Sequence, residues 1–135
     1  MEALRESPTG YSTGASVDHP KHYDLEERTF VFARDVRALL KRMPTTLANI
    51  EDGRQLLRAS GSVGANYIEA NEALGKKDFL MRVKISRKEA KESAYWLRLI
   101  REINDCRFQD KAESLFNESN ELKKIFSSII LKSGG

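Results

Sequence analysis

From residue 24 onward, apolar side chains recur at steps of three and four, the spacing that gathers them on one face of an α-helix. Leu25, Thr29, Phe32, Val36, Leu39 and Met43 form the first such stripe. They predict a helix from about Asp24 to Met43, with Asp24 as a cap and Pro44 as its end, because the residue before a proline resists helical geometry. A second helix is expected from about Leu47 to Leu74, with the stripe Gly53, Leu56, Ser60, Val63, Gly64, Tyr67, Asn71 and Leu74 and with Gly75 as a stop. A third runs from about Lys77 to Asn104, turning Phe79, Val83, Ser86, Ala90, Ser93, Leu97 and Ile100 inward. The fourth runs from about Asp110 to Lys132 on Ala112, Leu115, Ser119, Leu122, Phe126 and Ile129. No stretch alternates with the period of a strand. The expected fold class is all-α: an antiparallel up-down-up-down four-helix bundle over 23–135.

Residues 1–22 lack this pattern. They are rich in Ser, Thr, Gly and Pro and predict a flexible leader ahead of the bundle. At 135 residues the chain suits one domain. No apolar run reaches the roughly 20 residues that span a bilayer, and the first residues have no signal-peptide core. Membrane partners are not expected. The expected location is the cytoplasm, which the single Cys106 suits.

The second helix carries an unusual run, "ASGSVGANYIEA" (59–70), with two glycines, two serines and three alanines. It lacks the Gly-Lys-Ser/Thr ending of a phosphate loop, the GxGxxG spacing and a preceding strand. Each helical glycine costs about 1 kcal/mol relative to alanine, so something must offset two of them. On a helical wheel the segment is small or apolar around most of its circumference. Such a helix is contacted on more than one side: by the core, and by another helix at close range, in the same chain or in another copy of it. Gly61 and Gly64 are the expected points of approach. Asn66 and Glu69 have two readings: ordinary polar surface, or hydrogen bonds that fix register across a subunit contact. Trp96 reads as a packing anchor at a helix or subunit interface.

Charge changes the picture in the third helix. The net charge is a mild +3, but residues 76–101 hold nine Lys and Arg against only Asp78, Glu89 and Glu92. Lys84, Arg87, Lys88, Lys91 and Arg98 fall within about 100° of one another, with Leu80 and Tyr95 among them. An ordinary solvated face is one reading. The absence of acids from the stripe favours another, a ridge that attracts phosphate backbones, with Tyr95 placed to stack a base. His19 and His22 stand three apart around Pro20 in the leader, and no metal site or cofactor is expected from them. With no His within the bundle and no paired carboxylates, no enzymatic activity is expected.

The segments "YDLEERTFVFARDVRALLKRMP" (23–44), "QLLRASGSVGANYIEANEA" (55–73) and "KKDFLMRVKISRKEAKESAYWLRLI" (76–100) resemble the four-helix-bundle proteins encoded in bacterial 23S ribosomal RNA intervening sequences. The likeness spans about 23–132. Its most specific residues are Ser62, Gly64, Ala65, Asn66 and Glu69, then Phe79, Lys88, Glu89, Ala90, Glu92, Trp96 and Leu97. Ala70 departs from the family's usual glycine. The resemblance implies a homopentamer of antiparallel bundles, assembling as a ring, without established enzymatic activity. It also implies kinship with an accessory protein of diversity-generating retroelements, which binds a reverse transcriptase and nucleic acid.

The resulting expectation is a non-enzymatic, oligomeric accessory protein. It binds RNA or DNA through Lys84, Arg87, Lys88, Lys91 and Arg98, and meets its own copies through Gly61, Gly64, Asn66, Glu69 and Trp96. The alternative is a structural interaction module whose partner is a protein such as a reverse transcriptase, without direct nucleic-acid contact.

Overall fold

A computed structural model describes residues 21–135, with side-chain environments from Leu25 onward. The leader expected over 1–22 lies almost wholly outside the described residues. Four α-helices follow in order: α1 (Lys21–Arg42), α2 (Leu47–Asn71), α3 (Lys76–Ile103) and α4 (Cys106–Lys132). There is no strand among the described residues.

The ends of the helices have local causes. Pro44 separates α1 from α2, and Thr46 caps α2 by accepting from the Asn49 backbone N–H at 3.2 Å. α2 ends three residues earlier than its apolar stripe predicts. Its last turn tightens through Glu72 N–H to Glu69 O (3.1 Å) and Ala73 N–H to Ala70 O (3.0 Å), bonds of the three-residue kind. Leu74 is therefore a fully exposed connection residue, not part of the core. Gly75 does not stop α2. It is the extended N-cap of α3, and its carbonyl accepts from Phe79 N–H. α4 begins four residues before the expected Asp110, because Asp105 caps it by accepting from Arg107 N–H at 3.0 Å. That extra turn adds Phe108 to the core. α1 likewise starts at Lys21, which leaves Asp24 inside the helix. At the far end Gly134 takes φ 83°, the left-handed conformation glycine favours. The chain then folds back so that Gly135 N–H reaches Ile130 O at 2.9 Å.

The four stripes converge on one core. Phe32, Val36, Leu56, Val63, Tyr67, Val83, Leu97, Ile100, Leu122 and Phe126 are all buried in it. Consecutive helices pack on each other, and α1 packs on α4; among the described residues the backbones of α1 and α3 make no close approach. This closed circuit fits a four-helix bundle. Side-chain bonds between α2 and α3 join Arg58 to Glu89 and Glu92, Val63 to Ser86, and Asn66 to Arg82, so partners descend along α3 as they climb α2.

Candidate interaction surfaces

The small-residue run of α2 is covered from two sides, and both covering helices belong to the same chain. On one side lies α1. A Cβ on Gly64 would stand 2.8 Å from Thr29 Oγ1 and 3.2 Å from Thr29 Cβ. Gly61 faces the Arg37 guanidinium, whose nearest atom would be 3.0 Å from such a Cβ. Within the chain both glycines therefore face α1. On the other side Ser86 Oγ of α3 donates to the Val63 carbonyl at 2.9 Å, a hydrogen bond possible only where the two helices approach closely. Ala59 and Ala70, which the wheel puts on flanks, are buried here.

Asn66 is occupied within the chain. Its amide donates to Ser62 O (2.9 Å) and Ser62 Oγ (3.0 Å), and its Oδ1 accepts from Arg82 Nη1 of α3 (3.1 Å). Glu69 is exposed on the outside of α2, beside exposed Ile68. Trp96 is half-buried against the core and stacks edge-on to Tyr95 with centroids 5.0 Å apart. Its indole N–H donates to Glu92 Oε2 at 3.0 Å.

Glu92 belongs to a charge network that sequence reasoning missed. Arg58 of α2 bonds both Glu92 and, at 3.3 Å, the buried Glu89 of α3. Burial pushes the Glu92 carboxyl up, but the Trp96 N–H and the Arg58 guanidinium together outweigh it and hold the group below its ordinary value. Nothing in the helical pattern pairs residues 58 and 89. Only the contact of α2 with α3 does so.

On α3, Lys84, Lys88, Lys91 and Arg98 are exposed and point away from the core. None of them has a carboxylate within ion-pair distance among the described residues. Arg87 differs. It is half-buried and leans toward α4, where Nη1 donates to Ser127 Oγ at 3.4 Å. Tyr95 is 57% exposed. Lys84 and Lys88 also border a shallow apolar depression floored by Leu80, Met81 and Ile85. The five ridge residues therefore divide into four cations without an ion pair among the described residues and one engaged in packing. Among the described residues no cluster of three or more His, Cys, Asp and Glu is arranged to hold a metal ion. His19 lies outside them. No described helix is long and apolar enough to cross a membrane.

These features define an all-α four-helix protein with a cationic face on its third helix. The model of the 23S rRNA-intervening sequence protein matches residues 21–128, and the chain belongs to that family. Among solved structures it is similar to a protein of unknown function from the S23 ribosomal protein family of Bacteroides thetaiotaomicron. Identity is 34% and the TM-score 0.69, over 82% of this chain and 98% of the other. No curated protein matches the chain.

Proposed function

We propose that the protein is a non-enzymatic accessory protein that binds RNA or DNA through the outer face of α3. The observation that carries this reading is the set Lys84, Lys88, Lys91 and Arg98, exposed along one helix with no carboxylate within ion-pair distance among the described residues. Unneutralised cations in a row attract a polyanion and release its counterions on contact. Exposed Tyr95 adds a flat apolar face on which a base can stack. The test is binding of labelled single-stranded RNA and DNA across a salt series. A steep fall of affinity with salt supports the reading. No binding at low salt defeats it and leaves a protein-interaction module in its place.

The same proposal includes an antiparallel up-down-up-down arrangement and a homo-oligomeric ring. The opposed order of the α2–α3 bonds supports the first. Exposed Ile68 and Glu69 on the outer side of α2 support self-association there, and the number five rests on the family resemblance alone. Light scattering at micromolar concentration that returns a monomer mass defeats the ring.

A further inference from the structure

A second surface lies where α1 meets α2, away from the outer face of α3. It is a groove of about 410 Å³ between the C-terminal half of α1 and the N-terminal half of α2. Its floor and walls are aliphatic: half-buried Leu40, buried Met43, and Ile50 and Leu57, which are 44% and 41% exposed. Gly53 keeps the floor low, since a Cβ there would already touch Leu40 Cδ2 at 3.2 Å. Three cations rim this floor: Arg37 and Lys41 from α1, and Arg54 from α2. Among the described residues no carboxylate lines the groove.

The state of those cations is informative. Arg37 is held across the α1–α2 crevice by oxygen atoms that carry no formal charge. Its Nη1 donates to Ala33 O at 3.0 Å and Ser60 Oγ at 3.5 Å, and its Nη2 to Leu57 O at 3.5 Å. The guanidinium is oriented but makes no ion pair among the described residues. Lys41 and Arg54 are exposed and have no ion-pair partner among the described residues. An aliphatic floor with a one-signed rim is complementary to an amphipathic segment of opposite sign.

We propose that this groove docks an acidic amphipathic helix of a partner protein. The partner's aliphatic side chains lie on Leu40, Ile50 and Leu57, and its carboxylates meet Arg37, Lys41 and Arg54. Ile50 and Leu57 stand seven residues apart on α2, about 10.5 Å along its axis. That is the span between anchor residues two turns apart on a helix laid alongside. Among the described residues the lining contains no aromatic side chain. Nucleic-acid bases dock by stacking on aromatic rings, so this floor favours aliphatic side chains over bases. The proposal does not depend on the α3 ridge and survives its failure.

The test uses the full chain and a short helix-forming peptide with leucines at spacings of three, four and seven, flanked by glutamates. Fluorescence anisotropy of the labelled peptide is expected to show binding that weakens about two- to thirtyfold in the Lys41→Gln/Arg54→Gln variant. Both replaced side chains are exposed and lack in-chain ion pairs among the described residues, so the fold is preserved; circular dichroism checks this. Ile50→Ser/Leu57→Ser is expected to abolish binding. A peptide with lysine in place of glutamate that binds equally well overturns the proposal, as does equal binding by either variant and the wild type. RNA binding lost in the groove variants but retained when the α3 ridge is neutralised assigns the groove to nucleic acid and also overturns it. A fall in oligomer mass of Ile50→Ser/Leu57→Ser assigns it to a second copy, with the same consequence.

Discussion

Asn49 and Asn104 hold each other by both halves of their side-chain amides. Asn49 Nδ2 donates to Asn104 Oδ1 at 2.9 Å, and Asn104 Nδ2 donates back to Asn49 Oδ1 at 3.0 Å. Each amide also donates to a carbonyl near its own helix end, Pro44 O for Asn49 and Ile100 O for Asn104. One pair thus ties the α1–α2 connection to the α3–α4 connection. Asn49 is only 7% exposed, so water replaces a lost partner poorly. Asn49→Ala and Asn104→Ala are each expected to cost about 1–3 kcal/mol, the cost of leaving a buried polar group unmet. The double variant is expected to cost less than the sum of the two, because the second change removes a group already stranded. Urea denaturation of the three variants measures this, and strict additivity contradicts the reciprocal pair.

Gly61 and Gly64 lie one turn apart on α2 but differ in what they face. A methyl group at Gly64 meets the Thr29 side chain at 2.8 Å and 3.2 Å, on a residue buried in the α1–α2 contact. Thr29 Oγ1 is itself held at 2.9 Å by Glu26 O of its own helix. Gly64→Ala must therefore move a buried side chain or push α1 outward, at about 1–3 kcal/mol for overpacking. At Gly61 the neighbour is the end of the long Arg37 side chain, which can shift. There the gain in helix propensity, about 1 kcal/mol, is expected to win. Thermal melts should move in opposite directions. Equal shifts would mean that α1 approach does not select glycine at 64.

The contrast between these glycines shows where the sequence stops being legible. All six residues of the α1 stripe, Leu25 to Met43, are buried as periodicity predicts, because one helix face meets one core. The stripe of α2 is less well drawn. Gly64 and Asn71 are half-buried at its edge, while Ala59 and Ala70 are buried on what the wheel treats as flanks. α2 is covered by both α1 and α3, and a wheel for a single helix does not know where its neighbours sit. The same limit separates Arg87 from the other ridge cations: 100° of arc placed it with Lys84 and Lys88, and the position of Ser127 on α4 took it away. The Arg58–Glu89 pair joins two helices across 31 residues and left no periodic trace.

Acid should loosen the α2–α3 contact through Glu92. Its pKa in the folded protein is held below the ordinary carboxyl value of 4.5. A depressed folded pKa means that the unfolded chain binds the proton more readily. The ionised Glu92 therefore adds stability that is fully present above the unfolded value and is lost as pH falls through the folded one. The side chain is partly exposed, so solvent screening keeps the effect modest. Glu92→Gln is expected to flatten the decline of stability below pH 4.5, and the single Trp96, which donates to this carboxylate, reports it by fluorescence. An unchanged pH profile in Glu92→Gln would show that other carboxylates carry the acid response.

The cationic face of α3 makes a divided prediction, because its members are not equivalent. Lys84, Lys88, Lys91 and Arg98 are exposed and make no ion pair among the described residues, whereas Arg87 already bonds Ser127 on α4. Glutamine at the four free positions preserves helix propensity and leaves the core untouched. Each phosphate contact contributes about 0.7 to 0.9 to the slope of log affinity against log salt. Loss of four contacts should flatten the slope by roughly three units, and low-salt affinity should fall with it. Arg87→Gln alone should leave the slope nearly unchanged, since this side chain is committed to the α3–α4 seam. It should instead lower the melting temperature slightly, as a packed stem and a weak hydrogen bond are replaced by a shorter side chain. The two variants therefore exchange roles: one alters binding without stability, the other stability without binding. Single-stranded RNA titrated at several salt concentrations, together with thermal melts, separates them. Equal slopes in the wild type and the fourfold variant would remove the α3 face from the nucleic-acid contact. A slope change as large in Arg87→Gln as in the fourfold variant would mean that the Ser127 bond opens on binding and that all five cations act together.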